Sequence, residues 1–527
     1  MALVPGSQDK KSKNPVIWVE EGLKKLHGVL FDEDVRTAQF QAFQTRSVQN
    51  QQVLDRTIQF WTRSVHIYAT YKATQLRAQF VKDETERDRI WEEQHERAAD
   101  KLYALCYDLK GFFLKSAQLL AKPDLAPMAW VKRLVVLCDQ APQTPYEQVR
   151  GVLEEELGKS FDDLFERFDV KPIGSASVAQ VHKARLMGGS TDVAVKVQHP
   201  GAHELMMTDI RNQKLFAQVL QKTDLKLDLV SIMEELEAQV EYEFDFVREA
   251  TAMDRIAISL NTTNKGKSPV IVPRSIPGLV TRRVLCMEFI EGTPIMQLEG
   301  ELQKRGINPH GRIAKMAKKS ILNDLSSAYG QMILRDGFFQ ADPHPGNILI
   351  NSKGKVALLD YGQTKELTQE LKLGFAKVVV GLANNNGEEI AEAFNVLGIG
   401  ASSKSNDLDD TKILAQLLFD TKLPHGWKMA SPFGDDSILK SVSVEKLPQE
   451  LFFIIRLAQL LRGLSVGMDV PFSTSQQWKP LAEAALAAAR KASTFDLKGE
   501  TKESRPRELH WERKKRLRRK GNLQAVA

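Results

Sequence analysis

Between residues 34 and 99 the chain carries neither Gly nor Pro and is rich in Gln, Arg and Thr, a texture that predicts helix throughout. Leu54, Ile58, Trp61, Val65 and Tyr68 recur there at steps of four and three, the spacing of one apolar helix face. A second helical block is expected from 100 to about 120. It is followed by a stretch punctuated by Pro123, Pro127, Pro142 and Pro145, and then by a helix near 146–158. The pattern changes at Val170. Segments 177–185 and 192–198 alternate about Gly188 and Gly189, which predicts a β-hairpin. Helices are expected over 203–222 and 228–258, and strands at 270–273 and 282–289. Beyond Gly292 the pattern is mostly helical to about residue 490, broken near 348–360 by two short strands around Lys353 and Gly354. Segments 406–410 and 431–436 read as surface loops, and there is no internal repeat. A strand-rich block followed by a helix-rich block predicts a two-lobed α+β arrangement, with a ligand cleft expected between the lobes.

Composition narrows the class. At 527 residues, 43% hydrophobic and 27% charged, the chain has room for about three folding units and the balance of a globular protein. Cys106, Cys138 and Cys286 lack Cys-x-x-Cys spacing and read as buried thiols rather than as metal ligands or a redox pair. The net charge of +6 belongs to one end: residues 502–520 hold ten Lys/Arg against three Asp/Glu, which leaves the rest of the chain at −1. The body is therefore not a generic nucleic-acid binder, and no specific nucleic-acid binding is expected. The tail suits anionic lipid head groups, RNA or an import receptor, or serves as a solubilising end. No apolar run reaches the ~18 residues of a membrane span. From 36 to 82 the only acid is Asp55, against seven Lys/Arg. That helix either lies on an anionic membrane or packs on the neighbouring domain.

The chemistry begins at Asp342-Pro-His-Pro-Gly-Asn347, expected on a loop after a long helix at about 310–337. Asp342 suits orientation of a nucleophilic hydroxyl or water, and the Asn347 amide oxygen suits Mg²⁺. Thirteen residues later Leu358-Leu359-Asp360-Tyr361-Gly362 places an acid at a strand end, a natural ligand for Mg²⁺ bridging nucleotide phosphates. Kinases use Asp-x₄-Asn followed by Asp-Phe-Gly in this order and separation. Short motifs of this kind occur by chance singly, and it is the ordered set that is specific. Upstream, Asp192-Val-Ala194-Val-Lys196 resembles the kinase strand whose Lys neutralises α/β-phosphate oxygens. Before it lies Gly174-Ser175-Ala176-Ser177-Val178-Ala179-Gln180-Val181, a Gly-x-Gly-x-x-Gly-x-Val loop with Ala176 and Ala179 at two glycine positions. Their Cβ atoms restrict φ and hold backbone away from phosphate, so a stiffer loop is expected. Glu249 is the expected ion-pair partner of Lys196, across a 53-residue gap that implies an insertion, and shares a helix face with Asp245. Main-chain groups of 287–292, Glu288 and Ile290 among them, are the expected adenine contacts. Arg456 and Arg462 read as structural, and His344 as a loop residue rather than a metal ligand.

Together these residues resemble the UbiB (aarF-domain) family of atypical kinases. Its marks here are the Ala-rich loop 174–182, the Glu243-x-Asp245 pair and the Asp-Pro-His-Pro-Gly-Asn loop. A fourth mark is Lys115-Ser-Ala-Gln118, which matches the family's Lys-x-Gly-Gln helix except that Ala117 replaces Gly. The match covers roughly 100–480. The resemblance implies a protein-kinase-like fold divided into an N-terminal helical region (1–99), a helical extension bearing Lys115 (100–169), an N-lobe (170–295), a C-lobe (296–490) and a basic tail (491–527). It implies that Lys115 pairs with Glu243 or Asp245 and, with Gln118, regulates phosphate access. It implies ATP or ADP with Mg²⁺, a role in isoprenoid-quinone or other lipid metabolism, peripheral contact with an anionic or quinone-type lipid, and a mitochondrial or plastid location without a clear transit peptide. Between Gly362 and a helix expected near Thr368 there is no room for an activation segment, and no Ala-Pro-Glu follows. Small-molecule phosphorylation or ATP hydrolysis therefore fits better than phosphorylation of proteins in trans. The competing reading is a catalytically silent kinase-like scaffold that binds nucleotide or lipid.

Overall fold

The computed structural model describes residues 33–120, 126–136, 143–223, 229–403, 408–422 and 442–497. The basic tail, Cys138 and the loop 431–436 lie outside them. The chain groups into two compact units, Met1–Phe246 with Thr281–Cys286, and Val247–Val280 with Met287–Ala527.

The first unit opens with α1 (Glu33–Gln79) and α2 (Glu84–Leu109), followed by α3 (Phe112–Leu120) and α4 (Met128–Leu134). The break between α1 and α2 is fixed by Asp83, whose carboxylate accepts the Thr85 and Glu86 amides at the helix N-terminus. The apolar face expected of α1 is not the one buried. Leu54, Ile58 and Val65 are 58%, 52% and 50% exposed, whereas Phe60 and Ile67, one line over, are buried with Ser64. Trp61 and Tyr68 sit at the margin, edge-on to Phe216. Periodicity alone favoured the wrong line because the buried side also carries polar anchors: Arg56 on Asp209, and Thr57 accepting from Asn212. Phe60, Leu105, Cys106, Leu109, Phe113, Leu114, Ala117 and Leu134 form the core of this helical region. The single helical block expected over 100–120 is broken at Lys110 and Gly111, both at positive φ (53° and 54°). A left-handed pair of this kind ends one helix and re-aims the next.

α5 (Tyr146–Leu157) stops at Gly158, in the left-handed region at φ 63°. A single turn, α6 (Phe161–Leu164), leads into β1 (Phe165–Phe168), β2 (Gly174–Ser175), β3 (Ala179–Leu186) and β4 (Asp192–Gln198). The β3–β4 hairpin is the one expected, with Arg185 opposite Asp192. α7 (Ala202–Thr223) and α8 (Leu229–Glu243) complete the unit's helices, and α9 (Phe246–Thr263) begins at its boundary. One helix was expected over 228–258, but it is interrupted at Phe244 and Asp245. Phe244 and Phe246 are both buried, and residues two apart lie about 200° around a helix, so a continuous helix would turn one of them out.

β5 (Ser275–Val280) and β6 (Val284–Glu288) finish a sheet of order β1-β3-β4-β6-β5, in which β3 also pairs with β2, at Gln180 and Val181. The strand expected at 270–273 is reduced to one bridge, Ile271 with Ala357. In the second unit, β7 (Thr293–Pro294), α10 (Leu298–Lys304) and α11 (Arg312–Gly330) precede β8 (Phe338–Gln340). α11 closes on a wide helical turn over Gln331–Asp336. Gly330 is required there, because a Cβ would stand 2.7 Å from the buried Trp478 ring. β9 (Ile348–Ile350) and β10 (Val356–Leu358) form the expected short hairpin, and β11 (Thr364–Glu366) pairs with β8. Helices α12 (Gln369–Asn384), α13 (Gly387–Leu397), α14 (Leu408–Phe419), α15 (Gln449–Gly467) and α16 (Thr474–Leu497) follow. Only residues 363–368 separate Gly362 from α12, and β11 takes up half of them.

Candidate active site

In the first unit, strand register gathers the phosphate-loop candidates. Gly174 opposes Val181 and Val181 opposes Lys196, so three positions spread over 22 residues form one row across β2, β3 and β4. Directly opposed residues of antiparallel strands share a face, and Ala194 joins that face two positions before Lys196. Ser175 opposes Gln180 in the next row. The Ala176 amide donates to the Ala179 carbonyl at 2.8 Å, closing a tight turn whose tip is Ser177 and Val178. Val178 is buried, which draws the tip back onto the sheet. Lys196 Nζ stands 5.1 Å from the centroid of the buried Phe246 ring, a cation–π contact supplied by the residue that follows the α8–α9 break.

Lys115 on α3 forms an ion pair with Glu243 at the end of α8, with both side chains largely buried at 18% and 16% exposure. The contact is one of charge rather than an aligned hydrogen bond. Ala117 does not obstruct it. Two residues on, about 200° around the helix, its methyl packs among Phe60, Leu109 and Phe113. Asp245 occupies the break immediately before α9, so it is not on one helix face with Glu249 as expected from a continuous helix. Gln118 lies on α3, and its side chain is outside the described residues.

In the second unit, α9 brings Arg248 and Glu249 to the segment after β10. Arg248 Nη1 donates to the Gly362 carbonyl at 3.3 Å, and Glu249 is buried, at 3% exposure. The Gly362 amide donates to Asp360 Oδ1 at 2.9 Å. A Cβ on Gly362 would stand 3.3 Å from Asp360 Oδ1 and 3.6 Å from Glu249 Oε2, so both carboxylates converge on this glycine. The β9–β10 register pairs Ile348 with Leu358 and continues as Leu359 N–H to the Asn347 carbonyl at 3.0 Å. Asn347 and Asp360 therefore leave the same end of one hairpin.

Asp342 follows β8. Its carbonyl accepts the His344 amide at 2.8 Å, His344 Nδ1 accepts the Gly346 amide at 3.1 Å, and the Asn347 amide returns to the His344 carbonyl at 3.0 Å. His344 thus winds the loop, as expected. The buried Gln340 ties this loop to the next: its amide donates to the Asp360 carbonyl at 2.6 Å and accepts from the Tyr329 hydroxyl. Burial pushes the phenols of Tyr329 and Tyr361 above their ordinary range, so both remain donors. Glu288 ends β6, its carboxylate accepting the Arg274 amide at 3.1 Å, and Ile290 follows between β6 and β7. Two residues here were missed or misread in sequence. Arg456, read as structural, places Nη2 3.1 Å from Asp342 Oδ1. Gln340 had no signal beyond its place two residues before Asp342.

Among the described residues no cluster of three or more His, Cys, Asp and Glu is built to hold a metal alone. The donor set of Asn347 and Asp360, an amide oxygen and a carboxylate, instead fits Mg²⁺ that takes its remaining ligands from water and phosphates. Cys106 and Cys286 are buried free thiols, both pushed up to about 12 by burial, and neither is poised as a nucleophile.

Residues 136–394 match the family model of the ABC1 atypical kinase-like domain. AarF domain-containing protein kinase 1 of Gallus gallus is 30% identical over 417 residues, 78% of this chain and 75% of that protein. Its Mus musculus counterpart is 36% identical over 292 residues, 53% and 52% of the two chains. The Arabidopsis thaliana protein ACTIVITY OF BC1 COMPLEX KINASE 8, chloroplastic, is 28% identical over 408 residues, 70% of this chain and 52% of that one. The chain thus spans about half the length of the mouse and plant proteins. By these matches, and by the α+β kinase-like architecture with its N-terminal helical region, the chain belongs to the UbiB (AarF-domain, ABC1) family of atypical kinase-like proteins.

Proposed function

We propose that this protein binds ATP with Mg²⁺ and transfers or hydrolyses the terminal phosphoryl group in support of isoprenoid-quinone or other lipid metabolism. The observation that supports this most strongly is the β9–β10 hairpin, which sets Asn347 beside Asp360 one short loop after Asp342. In this reading Asn347 and Asp360 hold the metal, and Asp342 orients the attacking hydroxyl or water. Bound Mg²⁺ supplies charge neutralisation on the β- and γ-phosphate oxygens. Lys196, with Glu249 as its ion-pair partner, binds phosphate. Gly174, Ser175, Ala176, Ser177, Ala179 and Val181 cover the phosphates, and Ala194 with the main chain of Glu288 and Ile290 receives the adenine. Lys115, Gln118, Glu243 and Asp245 regulate access to phosphate.

A small-molecule acceptor, or water, is favoured over proteins in trans because residues 363–368 leave no platform for a peptide. Peripheral contact with an anionic or quinone-bearing lipid surface is supported by Leu54, Ile58, Val65, Leu76 and Phe80, apolar and exposed on or just after α1. Among the described residues no helix is long and apolar enough to cross a membrane. A mitochondrial or plastid location is part of the same reading, and organelle fractionation tests it. The activity is tested by ATP turnover with and without anionic liposomes. Wild-type protein is expected to turn over ATP only with Mg²⁺ and faster on liposomes, and Asp360→Asn to lose that turnover. Equal turnover in wild type and Asp360→Asn would overturn the proposal.

A further inference from the structure

The tight turn of the Ala-rich loop is held from outside the loop. The His199 amide donates to the Val178 carbonyl at 2.9 Å, and its ring Nε2 bonds the Ala176 carbonyl at 3.0 Å. One residue thus grips both sides of the turn closed by Ala176 and Ala179. A carbonyl only accepts, so Nε2 carries the proton, and in the neutral ring Nδ1 must accept. It does so from the Thr144 hydroxyl, 2.6 Å away. Thr144 is pinned in turn by Gln180, which accepts the Thr144 amide at 2.7 Å and donates to its carbonyl at 3.1 Å. Gln180 is buried and lies directly opposite Ser175 of the loop. Its amide also donates to His182 Nε2 at 2.8 Å, leaving His182 Nδ1 to donate to the Asp169 carbonyl. Each donor in this chain meets one acceptor, so every tautomer is determined. Burial holds both imidazoles below their ordinary range and so in the neutral form the chain requires.

We propose that His199 is a positioning residue for the nucleotide-phosphate loop, set in its working tautomer by Thr144, so that the segment just before α5 governs how tightly the loop closes on phosphate. The proposal rests on the ATP-binding reading above and adds residues that none of the loop motifs contains.

The test uses the full-length chain. His199→Ala and Thr144→Val are each expected to raise the KM for MgATP roughly threefold to tenfold, the effect of one lost hydrogen bond, with kcat nearly unchanged. His199→Gln, whose amide can still donate to Ala176, is expected to recover most of that loss. A merely structural role would lower Tm without this split or rescue. In nucleotide-free protein, ¹⁵N-histidine NMR is expected to show His199 as Nε2–H and His182 as Nδ1–H, and hydrogen exchange at the Ala176 amide is expected to quicken in both loss variants. An Nδ1–H tautomer at His199, or wild-type exchange and KM in His199→Ala, would overturn the brace. Failure of wild type to bind MgATP would instead remove the nucleotide reading, and the exchange and tautomer results would still decide whether the brace exists.

Discussion

Arg456 on α15 places its Nη2 3.1 Å from Asp342 Oδ1, so the carboxylate that heads the Asp-x₄-Asn loop has a cation in contact with it. Both side chains are partly exposed, at 38% and 33%, so the pair contributes little to stability. Its consequence is orientation: the guanidinium holds Oδ1 of the carboxylate at the head of the loop. Arg456→Ala is expected to lower kcat for ATP turnover about tenfold with a small change in KM, and Arg456→Lys to recover only part of this, because an ammonium lacks the planar fork. Asp342→Asn should cost on the order of 10²–10⁴ in kcat. The double variant should be no slower than Asp342→Asn alone, since both changes act through one group.

Gly362 is the point on which Asp360 and Glu249 converge. An added methyl would press on Asp360 Oδ1, the oxygen that accepts the Gly362 amide. Gly362→Ala is therefore expected to raise the Mg²⁺ concentration for half-maximal turnover several-fold while leaving Tm within a few degrees. Titration of activity with MgCl₂ at saturating ATP measures it. An unchanged Mg²⁺ midpoint would separate this glycine from the metal.

Arg56 and Asp209 join α1 to α7 by an ion pair at 2.5 Å, in which the Asp209 side chain is 2% exposed. Burial pushes the Asp209 carboxyl up to about 6 despite the guanidinium beside it. The folded chain therefore holds this proton at pH values where an unfolded Asp, near 3.9, has lost it. It follows that stability falls as pH rises from about 4 to 6 and is flat above that window. Asp209→Asn should remove this slope and be at least as stable as wild type at pH 7.5. Arg56→Ala, which strands a buried carboxylate, should cost about 3–5 kcal/mol at pH 7.5 and less at pH 5. Urea midpoints across pH 4–8 measure both.

The strand hairpins were legible because alternation and turn residues are local signals. The β3–β4 register and the β9–β10 turn fell where Gly188, Gly189, Lys353 and Gly354 indicated. Helix boundaries were less legible wherever tertiary packing overrode periodicity. The α8–α9 break exists so that Phe244 and Phe246 can both be buried, a requirement written in no short window. The buried face of α1 was misjudged for a related reason: Arg56 and Thr57 anchor the side that hydropathy ranks second. Motif order revealed the polar residues of Asp342, Asn347 and Asp360. It was silent on Arg456 and Gln340, which reach the same loops from a distant helix and from a strand. Motifs mark the residues proposed to meet a ligand. They do not record which residues hold those in place.

The central claim is that one magnesium–nucleotide complex engages Lys196, Asn347 and Asp360. Equilibrium binding of ATP to wild type, Lys196→Ala and Asp360→Asn, each with Mg²⁺ and with EDTA, tests it most directly. Wild type should bind tightly only with Mg²⁺, Lys196→Ala should bind more weakly in both conditions, and Asp360→Asn should lose the difference between them. Binding that is the same in all three proteins and indifferent to EDTA would contradict the account.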